Sequence, residues 1–217
     1  MATIKAVLYD MDGTLLDTER LHAESWRKGF AMQGVEVTKA FYERVMGTNA
    51  GNVKRVCEEM YGLDGQMMMD LENELTWQHM EKHGVPVLPG VRETLKALRE
   101  KGIRQCVCTS TNRPEAIKWL KLADLYDSFD AVVCGSDISN SKPAPDIFLC
   151  GAEKLETPIE NCAVIEDSRN GLLAGLNSKA AAVLRVEGVL PIPEEIQAKT
   201  RFLSSFFELP GLLEEYQ

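Results

Sequence analysis

Short apolar runs recur along this chain, separated by longer amphipathic stretches, and that rhythm restricts the fold more than any other feature. The runs are Ile4–Tyr9, Arg104–Cys108, Ala131–Cys134, Cys162–Ile165 and Ala180–Leu184. Helical patterns lie between them at Val91–Lys101, Pro114–Leu122, Pro145–Leu155 and Arg169–Ser178. Pro114 and Pro145 suit the first turn of a helix, where a missing N–H costs nothing. Alternation of strands with helices predicts an α/β fold, a parallel sheet covered by helices on both faces.

One stretch breaks the rhythm. From Asp17 to Leu88 the pattern is helical throughout, with segments at Glu19–Gln33, Lys39–Val45, Asn49–Tyr61 and Asp64–His83. Gly34, Gly47, Gly62, Gly65 and Gly84 punctuate them, and Pro86 and Pro89 mark the return to the core. The expected organisation is therefore a core of residues 1–16 and 89–217, with an all-helical insertion over residues 17–88. Hinges are expected near Leu16–Thr18 and Val85–Pro89. Met67, Met68 and Met69 are expected to fill the core of the last inserted helix.

A chain of 217 residues with 45% hydrophobic content can bury a real core. Its formal charge of −9 argues against nucleic acid, which demands a basic surface to displace counterions. A small phosphorylated metabolite stays possible, because a metal and a few cations can reverse the sign inside one pocket. None of the six cysteines forms a C-x-x-C pair, and all are expected to be reduced. Cys106 and Cys108 share a strand face about 7 Å apart. With no leader-like N-terminus and no long apolar stretch, a cytoplasmic protein off the membrane is expected.

Chemistry gathers where the runs end, as ligands do in open parallel sheets. Asp10-Met11-Asp12-Gly13-Thr14 closes the first run. Two carboxylates at a strand end can hold a hard cation, one can attack phosphorus, and the other can move protons. These residues by themselves do not say which aspartate does which. Thr109-Ser110 ends the next strand and can bind phosphoryl oxygens, with Asn112 nearby, although Asn112 also suits a plain helix cap. Lys142, before Pro143, can neutralise a phosphoryl group. Asp167 can complete a metal site, with Glu166 orienting a water ligand or pairing with Lys142.

In this order the motifs resemble those of the haloacid dehalogenase superfamily: D-x-D-G-T, then a hydroxyl residue after an apolar run, then K-P, then E-D. The Lys142-Pro143-Ala144-Pro145 and Ile165-Glu166-Asp167-Ser168 versions look most like the branch of beta-phosphoglucomutase and its sugar-phosphatase relatives. That resemblance covers nearly the whole chain and implies a Rossmann-like core with a helical cap. It implies Asp10 as nucleophile, Asp12 as general acid/base, and Thr109 and Lys142 as phosphoryl-binding groups. Mg²⁺ would be held by Asp10, the Asp12 carbonyl and Asp167, with Glu166 behind them.

In the cap, His22 and Trp26 match a pattern of the mutase branch and lie on one helical face, so they are candidates for substrate contact beside Gly47, Ser110 and Asn112. The mutases carry a lysine before the cap glycine and an arginine after it, where this chain has Met46 and Ala50. The expected protein is a Mg²⁺-dependent phosphatase of a small phosphate monoester, acting as a monomer or weak dimer. A sugar-phosphate mutase is the first alternative, and a non-catalytic phosphate-binding module the second.

Overall fold

The computed structural model describes residues 3–45 and 50–216. Contacts divide the chain into two compact units, Met1–Asp17 with Pro86–Gln217, and Thr18–Val85.

The chain enters the first unit on strand β1 (Ala6–Tyr9) and leaves it for four helices, α1 (Thr18–Met32), α2 (Lys39–Val45), α3 (Ala50–Tyr61) and α4 (Gly65–His83). It returns through α5 (Val91–Glu100), β2 (Arg104–Thr109), α6 (Arg113–Leu122), β3 (Ala131–Cys134) and α7 (Asp146–Lys154). Then follow β4 (Cys162–Glu166), α8 (Arg169–Ser178), β5 (Ala182–Arg185), α9 (Glu194–Gln197), β6 (Arg201–Phe202) and α10 (Leu209–Glu214).

All six strands are parallel, in the order β3-β2-β1-β4-β5-β6. β1 and β4 are buried at every residue, because helices cover both faces of the sheet. On one face Leu8, Cys106, Cys108 and Val164 pack with Phe148 of α7 and Leu172 of α8. The other face carries a buried polar chain. Tyr9 Oη donates to Gln105 Oε1 at 3.0 Å, and Gln105 Nε2 donates to the Leu95 carbonyl of α5 at 2.9 Å. Helix α5 buries Val91, Thr94, Leu95 and Leu98, the spacing of a single helical stripe.

Register fixes the carboxyl edge. Tyr9 pairs with Val107 on one side and Ile165 on the other, so Asp10, Thr109 and Glu166 finish neighbouring strands together. Asp10 continues the ladder, its N–H donating to the Ile165 carbonyl at 2.9 Å.

Two sequence expectations need correction in the sheet. The fifth strand spans Ala182–Arg185, not Ala180–Leu184. Lys179 adopts a left-handed conformation (φ 64°) that ends α8, and residues 180–181 are spent on the connection. β6 was not expected at all. It is two exposed residues long and exists only by pairing with β5.

The two ends of the insertion meet on the core side. Asp17 N–H donates to the Pro86 carbonyl at 2.9 Å, Leu88 N–H to the Leu15 carbonyl at 3.0 Å, and Leu16 and Val87 form an antiparallel bridge.

The helical unit has its own core of Phe30, Phe41, Val45, Val56, Cys57 and Met68. Phe30 and Phe41 meet edge to face at 4.9 Å between centroids, and Tyr61 lies 4.6 Å from Phe30. Of the three methionines only Met68 is fully buried, and Met67 is 40% exposed, so the cluster fills the core through one member. Asp64 caps α4 by accepting from Met67 N–H at 2.8 Å, and Gly84 (φ 78°) releases its C-terminus.

All six cysteines are free thiols. Cys108 Sγ lies 3.9 Å from Cys106 Sγ, closer than the strand spacing of the two residues suggests, because both side chains lean together beneath α7. Burial pushes the Cys57 thiol up to about 11 and that of Cys162 to about 12. No described helix is long and apolar enough to cross a membrane.

Candidate active site

Four carboxylates and one ammonium converge at the carboxyl ends of β1 and β4. Lys142 Nζ sits between two of the acids, 2.5 Å from Asp10 Oδ1 and 2.6 Å from Glu166 Oε1, with all three side chains at most 10% exposed. Burial alone would strip the charge from this lysine. The Asp10 and Glu166 carboxylates outweigh that cost and hold its proton far more tightly than usual. Asp10 is shifted in the same direction, toward holding a proton. Burial raises its carboxyl, Lys142 pulls it back, and Glu166 and Asp12 add repulsion. The two shifts point to opposite charge states for one contact. The charged ammonium is the firmer of the two, because it has two carboxylate partners and Asp10 has one ammonium.

Glu166 is wholly committed. Its Oε1 meets Lys142, while Oε2 accepts from Asp167 N–H, Ser168 N–H and Ser168 Oγ, each at 2.9 Å. Gly171 permits this. A Cβ there would fall 1.6 Å from Glu166 Oε1, so any side chain at position 171 would expel the carboxylate. Ser168 also caps α8 by accepting from Gly171 N–H at 3.1 Å.

Asp12 and Asp167 are held by hydroxyls. Thr111 Oγ1 donates to Asp12 Oδ2 at 2.8 Å, and Thr109 Oγ1 lies 3.4 Å from the same oxygen while accepting from Thr111 N–H at 3.0 Å. Thr14 Oγ1 donates to Asp167 Oδ1 at 3.2 Å. Gly13 (φ 77°) makes the tight turn after Asp12, and a Cβ on it would stand 2.5 Å from Asp167 Oδ2.

The structure thus brings together Asp10, Asp12, Thr109, Lys142, Glu166 and Asp167. Ser110 and Asn112 stand exposed just beyond β2. Asn112 occupies the N-cap position of α6, but its side chain makes no capping bond. Sequence reasoning gave no role to Thr14 or Thr111, because hydroxyls in turns are too common to signal partners 153 and 99 residues away.

Asp10, Glu166 and Asp167 offer carboxylate oxygens within 4.8 Å of one another, with no imidazole or thiol among them. Asp12 adds a fourth carboxyl group, so the acids outnumber the Lys142 ammonium in the cluster. Hard oxygen donors carrying surplus charge fit a divalent cation such as Mg²⁺, Mn²⁺ or Ca²⁺.

Within the helical unit, His22 Nδ1 lies 2.7 Å from Oε1 of the buried Glu72, which also accepts from Thr76 Oγ1 at 2.8 Å. Trp26 packs against Phe30 and Phe41, at 5.9 and 5.2 Å between centroids, and is in large part a member of the aromatic core. Gly47 and Met46 lie outside the described residues.

Comparison with known proteins agrees with this geometry. Residues 4–179 match the haloacid dehalogenase-like hydrolase family, and the chain belongs to it. The chain is 34% identical over 192 residues to the phosphorylated carbohydrates phosphatase of Thermotoga maritima, covering 86% of each. Its fold superposes on the crystal structure of a putative beta-phosphoglucomutase from Thermotoga maritima with a TM-score of 0.82, at 29% identity, over 98% of this chain and 99% of that one. A haloacid dehalogenase family hydrolase from Deinococcus radiodurans, crystallised with bound phosphate and sodium, gives a TM-score of 0.83 at 26% identity, over 100% and 97%.

Proposed function

We propose that this hydrolase is a Mg²⁺-dependent phosphatase of a small phosphorylated carbohydrate or similar metabolite, working through an aspartyl-phosphate on Asp10. The observation that carries the reading is the Lys142 ammonium bridging Asp10 and Glu166 at the end of the central strands. An ammonium there screens Asp10 from its acidic neighbours and offers positive charge to an incoming phosphoryl group. The kinship with a phosphorylated carbohydrates phosphatase supports the substrate class.

Asp10 Oδ attacks phosphorus, and the bond from phosphorus to the substrate oxygen breaks. Asp12 gives that oxygen a proton, then takes one from the water that attacks the acyl phosphate, so phosphate leaves and Asp10 is regenerated. The Thr111 and Thr109 hydroxyls orient the Asp12 carboxylate for both transfers. Asp10, the Asp12 carbonyl and Asp167 would hold Mg²⁺, with Glu166 positioning Lys142 and the 167–168 backbone rather than binding metal itself. When bound, the cation supplies charge neutralisation that lets phosphate approach the carboxylates.

A phosphate-release screen over phosphorylated sugars and related metabolites, with Mg²⁺ and with chelator, tests the proposal. Turnover should vanish in chelator and return with Mg²⁺, and Asp10→Asn should lose both turnover and the acid-trapped phosphoenzyme. Labelling that survives in Asp10→Asn overturns the choice of nucleophile.

The mutase reading draws on the fold shared with a putative beta-phosphoglucomutase. A bisphosphate intermediate needs a second cationic dock, and Met46 and Ala50 bring no charge to the expected positions. With a hexose 1-phosphate, inorganic phosphate release is expected. Isomerisation to the 6-phosphate without release would promote the mutase, and Lys54 and Arg55 would then be the cations to test.

A further inference from the structure

The chain has three histidines, and two of them sit together. His79 and His83 lie four residues apart on the last turns of α4, their ring centroids 4.8 Å apart with 47° between the planes. His83 is exposed and His79 half-buried, so solvent reaches both rings. Neither imidazole makes a hydrogen bond or an ion pair among the described residues, so their ring nitrogens are not committed elsewhere. Across the helix pair stands Glu24 of α1, held chiefly by Lys28 and within electrostatic reach of His79.

Simple packing of two aromatic rings on a solvated helix would need no metal. Three features go beyond packing. An i, i+4 pair of imidazoles points two nitrogen donors to the same side of a helix, the spacing from which a helix can chelate a cation. The pair occupies the C-terminal end of α4, where the helix dipole favours positive charge. The Glu24 carboxylate is also within electrostatic reach of His79, although it shares its charge with Lys28 and Arg27.

We propose that His79 and His83 form a two-imidazole site for a divalent transition metal such as Ni²⁺, Cu²⁺ or Zn²⁺, with water completing the coordination shell. The site differs in kind from the cluster at the strand ends. Imidazole nitrogens select borderline metals, whereas the core offers only hard oxygens, so the two sites sort cations by chemistry rather than compete for one. A bound ion would tie together the final turns of α4 immediately before Gly84 ends the helix. Fraying of that end would then be opposed by the metal as well as by the backbone.

Titration calorimetry of the full chain with Ni²⁺, in saturating Mg²⁺ to occupy the carboxylates, tests the site. One Ni²⁺ per chain is expected. His83→Gln and His79→Ala should each weaken binding on the order of ten- to a hundredfold, because losing one ligand removes the gain from chelation. His83 is exposed, so His83→Gln should leave the fold intact, and circular dichroism checks this. Paramagnetic Ni²⁺ should broaden the imidazole signals of His79 and His83 before that of His22. Unchanged affinity in both variants, equal broadening of His22, or no binding by the unaltered chain each overturns the proposal.

Discussion

The core and the helical unit bury polar groups for opposite reasons. In the core, Asp10, Glu166 and Asp167 are almost without solvent and crowded at one sheet edge, where Lys142 pairs with Asp10 and Glu166 and the Thr14 hydroxyl donates to Asp167. In the helical unit the interior is apolar and aromatic, and the one buried acid among the described residues, Glu72, is satisfied by His22 and Thr76. A group of like charges held together against their repulsion is poorly suited to stability and well suited to chemistry. The contrast teaches that a sheet edge, where an ammonium and the N–H groups of the turn after β4 meet the acids, can carry a charge concentration that the apolar interior of the helical unit does not.

The largest effect should come from Lys142→Met. Removing the ammonium leaves Asp10 and Glu166 buried and unpaired, a loss of about 3–5 kcal/mol of stability. Turnover should fall on the order of 10²–10³-fold or more from loss of charge stabilisation. Urea denaturation with and without Mg²⁺ measures the first quantity. Added Mg²⁺ should restore part of the stability and little of the activity, and a variant as stable as the parent would break the comparison.

A comparable cost by a different route is expected for Phe30→Ala. Deleting the ring at the centre of the aromatic cluster costs about 3–5 kcal/mol through lost burial and the cavity left behind. Hydrogen exchange should locate the loss in residues 18–85, with the sheet still protected. Exchange that accelerates equally in β1 and β4 would mean the two units unfold as one.

Glu72→Gln should cost less, about 1–3 kcal/mol, because an amide keeps the shape and one acceptor while losing the charge-assisted bond to His22. Phosphoenzyme formation on Asp10 should persist in this variant, and quenched-flow labelling checks it.

The smallest effect concerns Asp137, which is held down by the Arg113 guanidinium and the Cys134 N–H despite partial burial. A carboxyl held below its ordinary value stabilises the fold above the unfolded-state value near pH 4 and loses that contribution as pH falls through the folded-state value. Asp137→Asn should therefore weaken the protein at neutral pH by less than about 1 kcal/mol, since both partners are partly exposed. The gap from the parent should close as the pH falls through the folded-state value. A gap that widens on acidification would contradict the assigned direction.

How legible each part was in the sequence follows from where its signal lies. β1 and β4 could be read because strands covered on both faces become continuous apolar runs. β6 could not, since a two-residue exposed strand carries no pattern and is defined only by its neighbour. At the site, Asp10 and Glu166 stood out as acids closing apolar runs, and register places them side by side. Thr111 and Glu72 were invisible for the opposite reason. Each is defined by a partner far along the chain, Asp12 at 99 residues and His22 at 50, and neither sits in a local pattern that distinguishes it from a solvated polar residue. Pro86 and Pro89 suggested the return to the core, whereas the crossing at Asp17 and Pro86 depends on a backbone pairing that no side chain announces.

That pairing has an architectural consequence. Because Leu15–Asp17 and Pro86–Leu88 bond to one another, the excursion from Thr18 to Val85 starts and finishes at the same place. To the sheet it is equivalent to a short hairpin, and closing so long a loop adds little entropy beyond closing a short one. The insertion is thus an exchangeable part: another helical segment, or a turn of a few residues, grafted between Asp17 and Pro86 would meet the same two anchoring bonds. A lineage built on this joint can replace one cassette while the strand order and the lysine-bridged acids of the core stay as they are.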